Sequence, residues 1–156
     1  MPELKKAKLV VWISVSSILL CVLVPAFFYT ISAAQSSRVS DEQLIARAIN
    51  GEARGEPYEG QVAVGAIILN RVESPDFPNT VAGVIYQPGA FTAVSDGQIN
   101  VPIDPKSPVV KAARDAMNGW DPTGGALYYW NPATATSKWI WSRQIIKVIG
   151  KHNFGK

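Results

Sequence analysis

Residues 50–71 read NGEARGEPYEGQVAVGAIILNR, and they set acid chemistry directly against a core. Glu52, Arg54, Glu56 and Glu59 fall within a couple of helical turns, and from Val62 to Leu69 every residue is apolar or small and none is charged. Pro57 suits the first turn of a helix, so the stretch divides into one helix that ends near Gly51 to Gly55 and a second that runs from Pro57 to about Val72. The second helix is apolar nearly all round. Ala63, Gly65 and Ala66 let neighbours approach it closely, which places it at the centre of the fold. Asn70 and Arg71 close it as a C-terminal cap and a charge that offsets the helix dipole.

Glu52 is the candidate general acid. Taken alone, Glu52 and Glu56 four residues apart could be solvated groups on one helical face, balanced by Arg54. The setting favours the sharper reading. A carboxyl at the C-terminal end of one helix, beside an apolar second helix, meets both desolvation and an unfavourable helix dipole, and each favours its protonated form.

Upstream, residues 1–34 have a basic head (Lys5, Lys6, Lys8), an uncharged apolar segment from Leu9 to Ile31, and the small residues Ser32-Ala33-Ala34. This is the pattern of a secretory signal, but the apolar part is also long enough to span a bilayer, for which about 20 residues are needed. We read it as a signal peptide or N-terminal membrane anchor, the anchor being favoured, with the membrane as a partner through this segment. Both readings export the rest of the chain. Residues 35–39 form a short linker and 40–156 one compact domain, since a stretch of this length suits a single core. Cys21, the single cysteine, lies in the apolar segment, so the exported domain has no disulfide framework, no thiol nucleophile and no cysteine metal site. No metal or other cofactor is expected. The first 34 residues hold three Lys and one Glu, net +2, which leaves +1 of the total +3 for the remainder. So even a charge distribution excludes the dense basic stripe of a nucleic-acid binder.

Downstream, Ser40 to Gln43 fits a capping box that opens the helix leading to Glu52. Thr80 to Tyr86 reads as a short helix, Phe91 to Gln98 as an irregular or extended piece with Asp96 in its Asp-Gly turn, and Ser107-Pro108 as the start of a helix to about Asn118. The end of the chain is rich in aromatic residues: Trp120, Tyr128, Tyr129, Trp130, Trp139 and Trp141, set among Asn, Ser and Thr. Such a set serves either as a small core or as a carbohydrate groove, with ring faces for stacking and polar edges for hydroxyl groups. We assign Tyr129, Trp130 and Asn131 to a groove and Trp139 to packing. Phe91 is half core, or a face on which a sugar ring stacks. Leu127 to Trp130 and Trp139 to Trp141 read as short strands or strand-like loops, and Ile145 to Phe154 as a β-branched strand. His152, the single histidine, lacks the partners a zinc site needs and is assigned a structural role or a surface hydrogen bond.

With these residues read, Glu52 to Val64, Ala66 to Val72, Pro88-Gly89-Ala90-Phe91, Ala126 to Tyr129 and Ile149 to His152 together resemble the spore cortex-lytic cell-wall hydrolases of the SleB/CwlJ type. The resemblance covers essentially everything from Ser40 onward. It implies a lysozyme-like α+β domain that cleaves peptidoglycan glycan strands, with the first Glu of the EARGE motif, Glu52, as catalytic acid. It also implies lytic transglycosylase chemistry between N-acetylmuramic acid and N-acetylglucosamine, which leaves a 1,6-anhydromuramyl end. The chain departs from the family pattern at Ala90, where many members carry Gln, and at Gln144, where many carry Pro. A separate peptidoglycan-binding domain found in larger members is absent from this sequence.

The expected partners are therefore peptidoglycan glycan strands and the membrane, outside the cytoplasm, with the protein a monomer. Two alternatives stay open: a glycan-binding module without catalysis, or a hydrolytic muramidase that uses a second carboxylate. Glu56, Glu59 and Asp96 are candidates for that second group, with Glu56 too near Glu52 in sequence to reach the far face of a sugar easily. An amidase or peptidase is disfavoured by the lack of metal ligands and thiols.

Overall fold

In the computed structural model, which describes residues 41–156, helix α2 (Tyr58–Glu73) is buried without a break from Gly60 to Ile68. An α-helix can be buried on every side only if other elements cover all of it. Helices α1 (residues 41–53), α3 (Val81–Ile85), α4 (Thr92–Ser95) and α5 (Pro108–Met117) do so on one side. A small sheet covers the other, where Ala63 and Ile67 of α2 meet Ala126, Ile149 and Phe154. The central placement of this helix expected from its sequence is what the structure shows. Gly65 supplies the close approach: a Cβ there would lie 3.1 Å from Ala116 Cβ and 3.2 Å from Ile49 Cδ1.

Polar links fix the helices around α2. Arg114 donates to both carboxylate oxygens of Glu42, at 2.9 and 2.8 Å, and ties α5 to α1. Tyr58 O–H donates to Asp115 at 2.8 Å, and Lys111 donates to both, at 3.1 and 2.7 Å. The Lys111 and Arg114 side chains are largely exposed and their partners only partly buried, so the worth of these links is modest; the apolar contacts of α2 dominate.

The sheet contains β1 (Tyr128–Trp130), β2 (Ile145–Ile149) and β3 (His152–Gly155) in the order β1-β3-β2, all antiparallel. The single strand expected over 145–154 is thus a hairpin, turned by Gly150 at φ +56° and Lys151. Glycine is required there both for its φ and for space, because a Cβ would run into Glu56 Oε2 and stand 2.8 Å from Pro57 Cδ. Two further expectations change. Lys138–Ser142 forms a 3-10 helix rather than a strand, and 92–100 is helical, as α4 followed by a 3-10 turn at Gln98–Asn100. Large aromatic residues at every second position, Trp139 and Trp141, give a strand-like signal, but no strand among the described residues pairs with them.

The signal or anchor reading of 1–34, the linker 35–39 and the Ser40 cap lie outside the described residues. No helix among the described residues is long and apolar enough to cross a membrane.

Candidate active site

Glu52 stands in the last turn of α1, where the helix ends at residue 53 as expected, and two other elements grip its carboxylate. The Ala93 backbone N–H in α4 donates to Oε1 at 2.7 Å, and the Tyr129 phenol in β1 donates to Oε2 at 3.0 Å. The approach of α4 depends on Gly51, since a Cβ there would stand only 2.5 Å from Ala93 Cβ. Tyr129 is itself fixed by Phe91, His152 and Phe154, with ring centroids 6.4, 5.5 and 6.3 Å away. It packs against both apolar clusters, so it sits at the seam between the helices and the sheet. Burial, then the adjoining Glu52 charge and the hydrogen bond to it, push the phenol well above its ordinary 10.0. The hydroxyl is a permanent donor.

Glu52 opens into a cleft of ≈ 430 Å³ whose walls include Arg71, Phe77, the Gln87-Pro88-Gly89-Ala90 turn, Tyr128 to Asn131, Trp139 and His152. Among the described residues that line it, Glu52 is the one carboxylate. Glu56 is turned elsewhere. Its side chain is 8% exposed, accepts from Lys151 N at 2.9 Å, and lies 3.8 Å from His152 Nδ1, pinning the β2–β3 hairpin to the start of α2. Asp96 accepts from Gln98 N at 3.0 Å within its own turn, as its sequence suggested.

The aromatic assignments divide. Tyr129, Trp130 and Asn131 all line the cleft. Asn131 also accepts from Ala133 N at 2.9 Å, which shapes the loop after β1. Trp130 is 6% exposed, and its indole Nε1 is buried with no acceptor among the described residues. Phe91 is corrected: at 3% exposed it offers no free face for a sugar, because the turn before α4 folds its ring into the core. Trp139 is corrected the other way. It is 51% exposed, lines the cleft, and rests edge-on against Tyr128 with centroids 5.4 Å apart. A 3-10 turn in place of a strand leaves this ring at the rim rather than in the core.

Four residues, Asn70, Arg71, Asp121 and His152, carry more than their sequence positions indicated. Asn70 donates to Asp121 Oδ2 and Ala126 O, both at 3.0 Å, and Arg71 Nε donates to Leu127 O at 2.8 Å. The end of α2 is therefore a clamp on the approach to β1 as well as a helix terminus. Asp121 also collects Thr123 N, Thr123 Oγ1 and Gly125 N; burial pushes its carboxyl up, but these bonds and that of Asn70 prevail and hold it below its usual range. Arg71 is buried, and desolvation lowers its guanidinium while the Tyr129 and Tyr128 phenols act oppositely. His152 forms part of the cleft wall, and burial lowers it below its ordinary 6.5 despite the opposing pull of Glu56 and Glu52. The one sign in the sequence was that Asn70-Arg71 comes directly after a chargeless run. Charge at the end of a buried element must find partners.

A family model described as Cell Wall Hydrolase matches residues 55–155, and the chain belongs to that family. The match begins three residues after Glu52. A spore cortex-lytic enzyme of Bacillus cereus is 66% identical over 117 residues, covering 75% of this chain and 44% of the relative, so the chain spans less than half of that relative's length. The crystal structure of the catalytic domain of the Bacillus cereus SleB protein is similar with a TM-score of 0.70 at 66% identity, covering 74% of this chain and 89% of that one. The catalytic domain of the germination-specific lytic transglycosylase SleB from Bacillus anthracis is similar with a TM-score of 0.71 at 65% identity, covering 74% of this chain and 93% of that one.

Proposed function

We propose that this chain cleaves the glycan strands of peptidoglycan outside the cytoplasm as a lytic transglycosylase, with a lysozyme-like domain and Glu52 as both acid and base. The observation that carries this reading is a single carboxylate among the described residues that line the cleft, oriented by Ala93 N–H and Tyr129 O–H. The names of the SleB relatives support the same substrate class.

Protonated Glu52 gives its proton to the glycosidic oxygen as the bond from the muramyl anomeric carbon to that oxygen breaks. The carboxylate left behind is stabilised by the same two donors, which need not reorganise. It then takes the proton of the muramyl 6-hydroxyl while that oxygen closes on the anomeric carbon. No water is consumed, and Glu52 ends protonated as it began. A hydrolytic muramidase of the two-carboxylate kind would need a second acid across the scissile bond; Glu56 and Asp96 are both committed elsewhere, and Glu59 is not among the residues that line the cleft. In this reading Tyr129 positions the acid, Asn131 and Trp139 receive the sugars, and the buried Trp130 backs the cleft wall.

The test is mass spectrometry of muropeptides released from cortex and vegetative peptidoglycan. Anhydromuramyl products are expected, and Glu52→Gln should lower their release by roughly 10²- to 10⁴-fold with the melting temperature retained. Reducing ends in place of anhydro ends would replace this reading with hydrolysis. Retention on peptidoglycan with no release from either form would make the chain a binding module.

A further inference from the structure

Arg71 is a charged side chain 7% exposed, on the wall of the cleft. Its Nε is spent on Leu127 O at 2.8 Å, and no hydrogen bond or ion pair to the described residues uses its two Nη groups. Instead the guanidinium carbon lies 5.2, 5.5 and 5.9 Å from the ring centroids of Phe77, Phe91 and Tyr128. Aromatic faces compensate a buried cation only in part, and no carboxylate among the described residues pairs with it. The bond to Leu127 alone would account for a brace between α2 and β1. It does not account for a full charge held in a site with two donor groups left over. Such a fork, fixed by its Nε bond and its rings, is suited to paired oxygens on a ligand.

We propose that Arg71 binds the acyl oxygens of the lactyl arm on muramic acid, and so distinguishes peptidoglycan from a plain N-acetylglucosamine polymer. This deepens the peptidoglycan reading and rests on it. The lactyl arm is the one group by which the two alternating sugars differ, and it ends in a carboxylate when bare or an amide carbonyl when it carries peptide. A guanidinium accepts either and holds the charged form more strongly. The acetamido group, by contrast, is present on both sugars and gives no discrimination. Arg71 and Glu52 line the same cleft, so a muramyl unit held by Arg71 would share that cleft with the acid.

The test is binding of two disaccharides to the full chain, measured by NMR. One is N-acetylglucosaminyl-N-acetylmuramic acid, which lacks the bond this reaction cuts, and the other is its counterpart with two N-acetylglucosamine units. The muramic disaccharide is expected to bind roughly tenfold more tightly, and Arg71→Lys should remove most of that preference, read as the ratio of the two affinities in each protein. Equal binding of the two overturns the lactyl contact and leaves the glycan reading standing. Binding of neither overturns the glycan reading and the contact with it. A tenfold preference that survives in folded Arg71→Lys and Arg71→Gln also overturns the assignment to Arg71.

Discussion

Tyr129 shows how a single residue joins fold and proposed chemistry. Its ring belongs to both apolar clusters and its hydroxyl to Glu52. The two roles separate in Tyr129→Phe, which keeps the packing and removes the donor. A hydrogen bond to a charged group contributes about 1.5–3 kcal/mol to stability, so the melting temperature should drop by several degrees; loss of the same support for the Glu52 carboxylate should lower the turnover number roughly ten- to a hundredfold while KM hardly changes. A destabilised but folded variant with unchanged turnover would instead make the hydroxyl a structural group. The neighbouring aromatic residues show why residue type alone misleads. Composition places Phe91 half in the core and Trp139 in packing, yet the first is sealed in the core and the second stands half exposed at the rim.

At the scale of elements, the site is a junction of α1, α4 and β1, and the spacing of the first two rests on one missing methyl group. Gly51→Ala would gain helix propensity, about 1 kcal/mol, but would drive a Cβ into Ala93, whose N–H holds Glu52. Overpacking costs about 1–3 kcal/mol, so the net effect on stability should be small or unfavourable. Activity should suffer more. A displacement of about 1 Å at a reacting group can cost on the order of a hundredfold, and assay of Gly51→Ala beside urea unfolding would show the two effects separately. Normal activity in this variant would mean that α4 does not align the acid. The hairpin is placed by similar close contact, with Gly150 packed over Glu56 and the Lys151 N–H bonded to it. Glu56 thus belongs to the architecture, which is why its nearness to Glu52 in the sequence adds no second acid.

For the whole molecule, the buried polar groups make stability depend on pH. His152 faces Glu56, Glu52, Lys151 and Tyr129, and burial depresses it below 6.5 in the folded protein. Between its folded value and 6.5 the unfolded chain binds the extra proton, so stability should fall as pH drops through that window and then level. Asp121, depressed from 3.8 by its hydrogen bonds, adds a second loss only at lower pH, as the folded carboxyl is protonated. Thermal unfolding between about pH 7 and pH 5 should therefore show a declining melting temperature, and a folded His152→Gln variant should flatten it. A decline of equal size in that variant would assign the effect to other groups.

Local sequence by itself determined the central helix, the break before it and the position of Glu52 at the end of α1. Each depends on short-range chemistry: a chargeless apolar run, a proline that suits a first turn, and glycines around a helix end. The end of α5 and the short α3 were legible for the same reason. Only the tertiary structure decided what surrounds the acid. Ala93 contributes a backbone N–H, which no side-chain pattern reveals, and Tyr129 arrives from 77 residues away. Whether Phe91 or Trp139 faces solvent, and whether Arg71 ends a helix or lines a cleft, depends on which elements pack over them. Those contacts join distant parts of the chain, and periodicity along the chain carries no record of them.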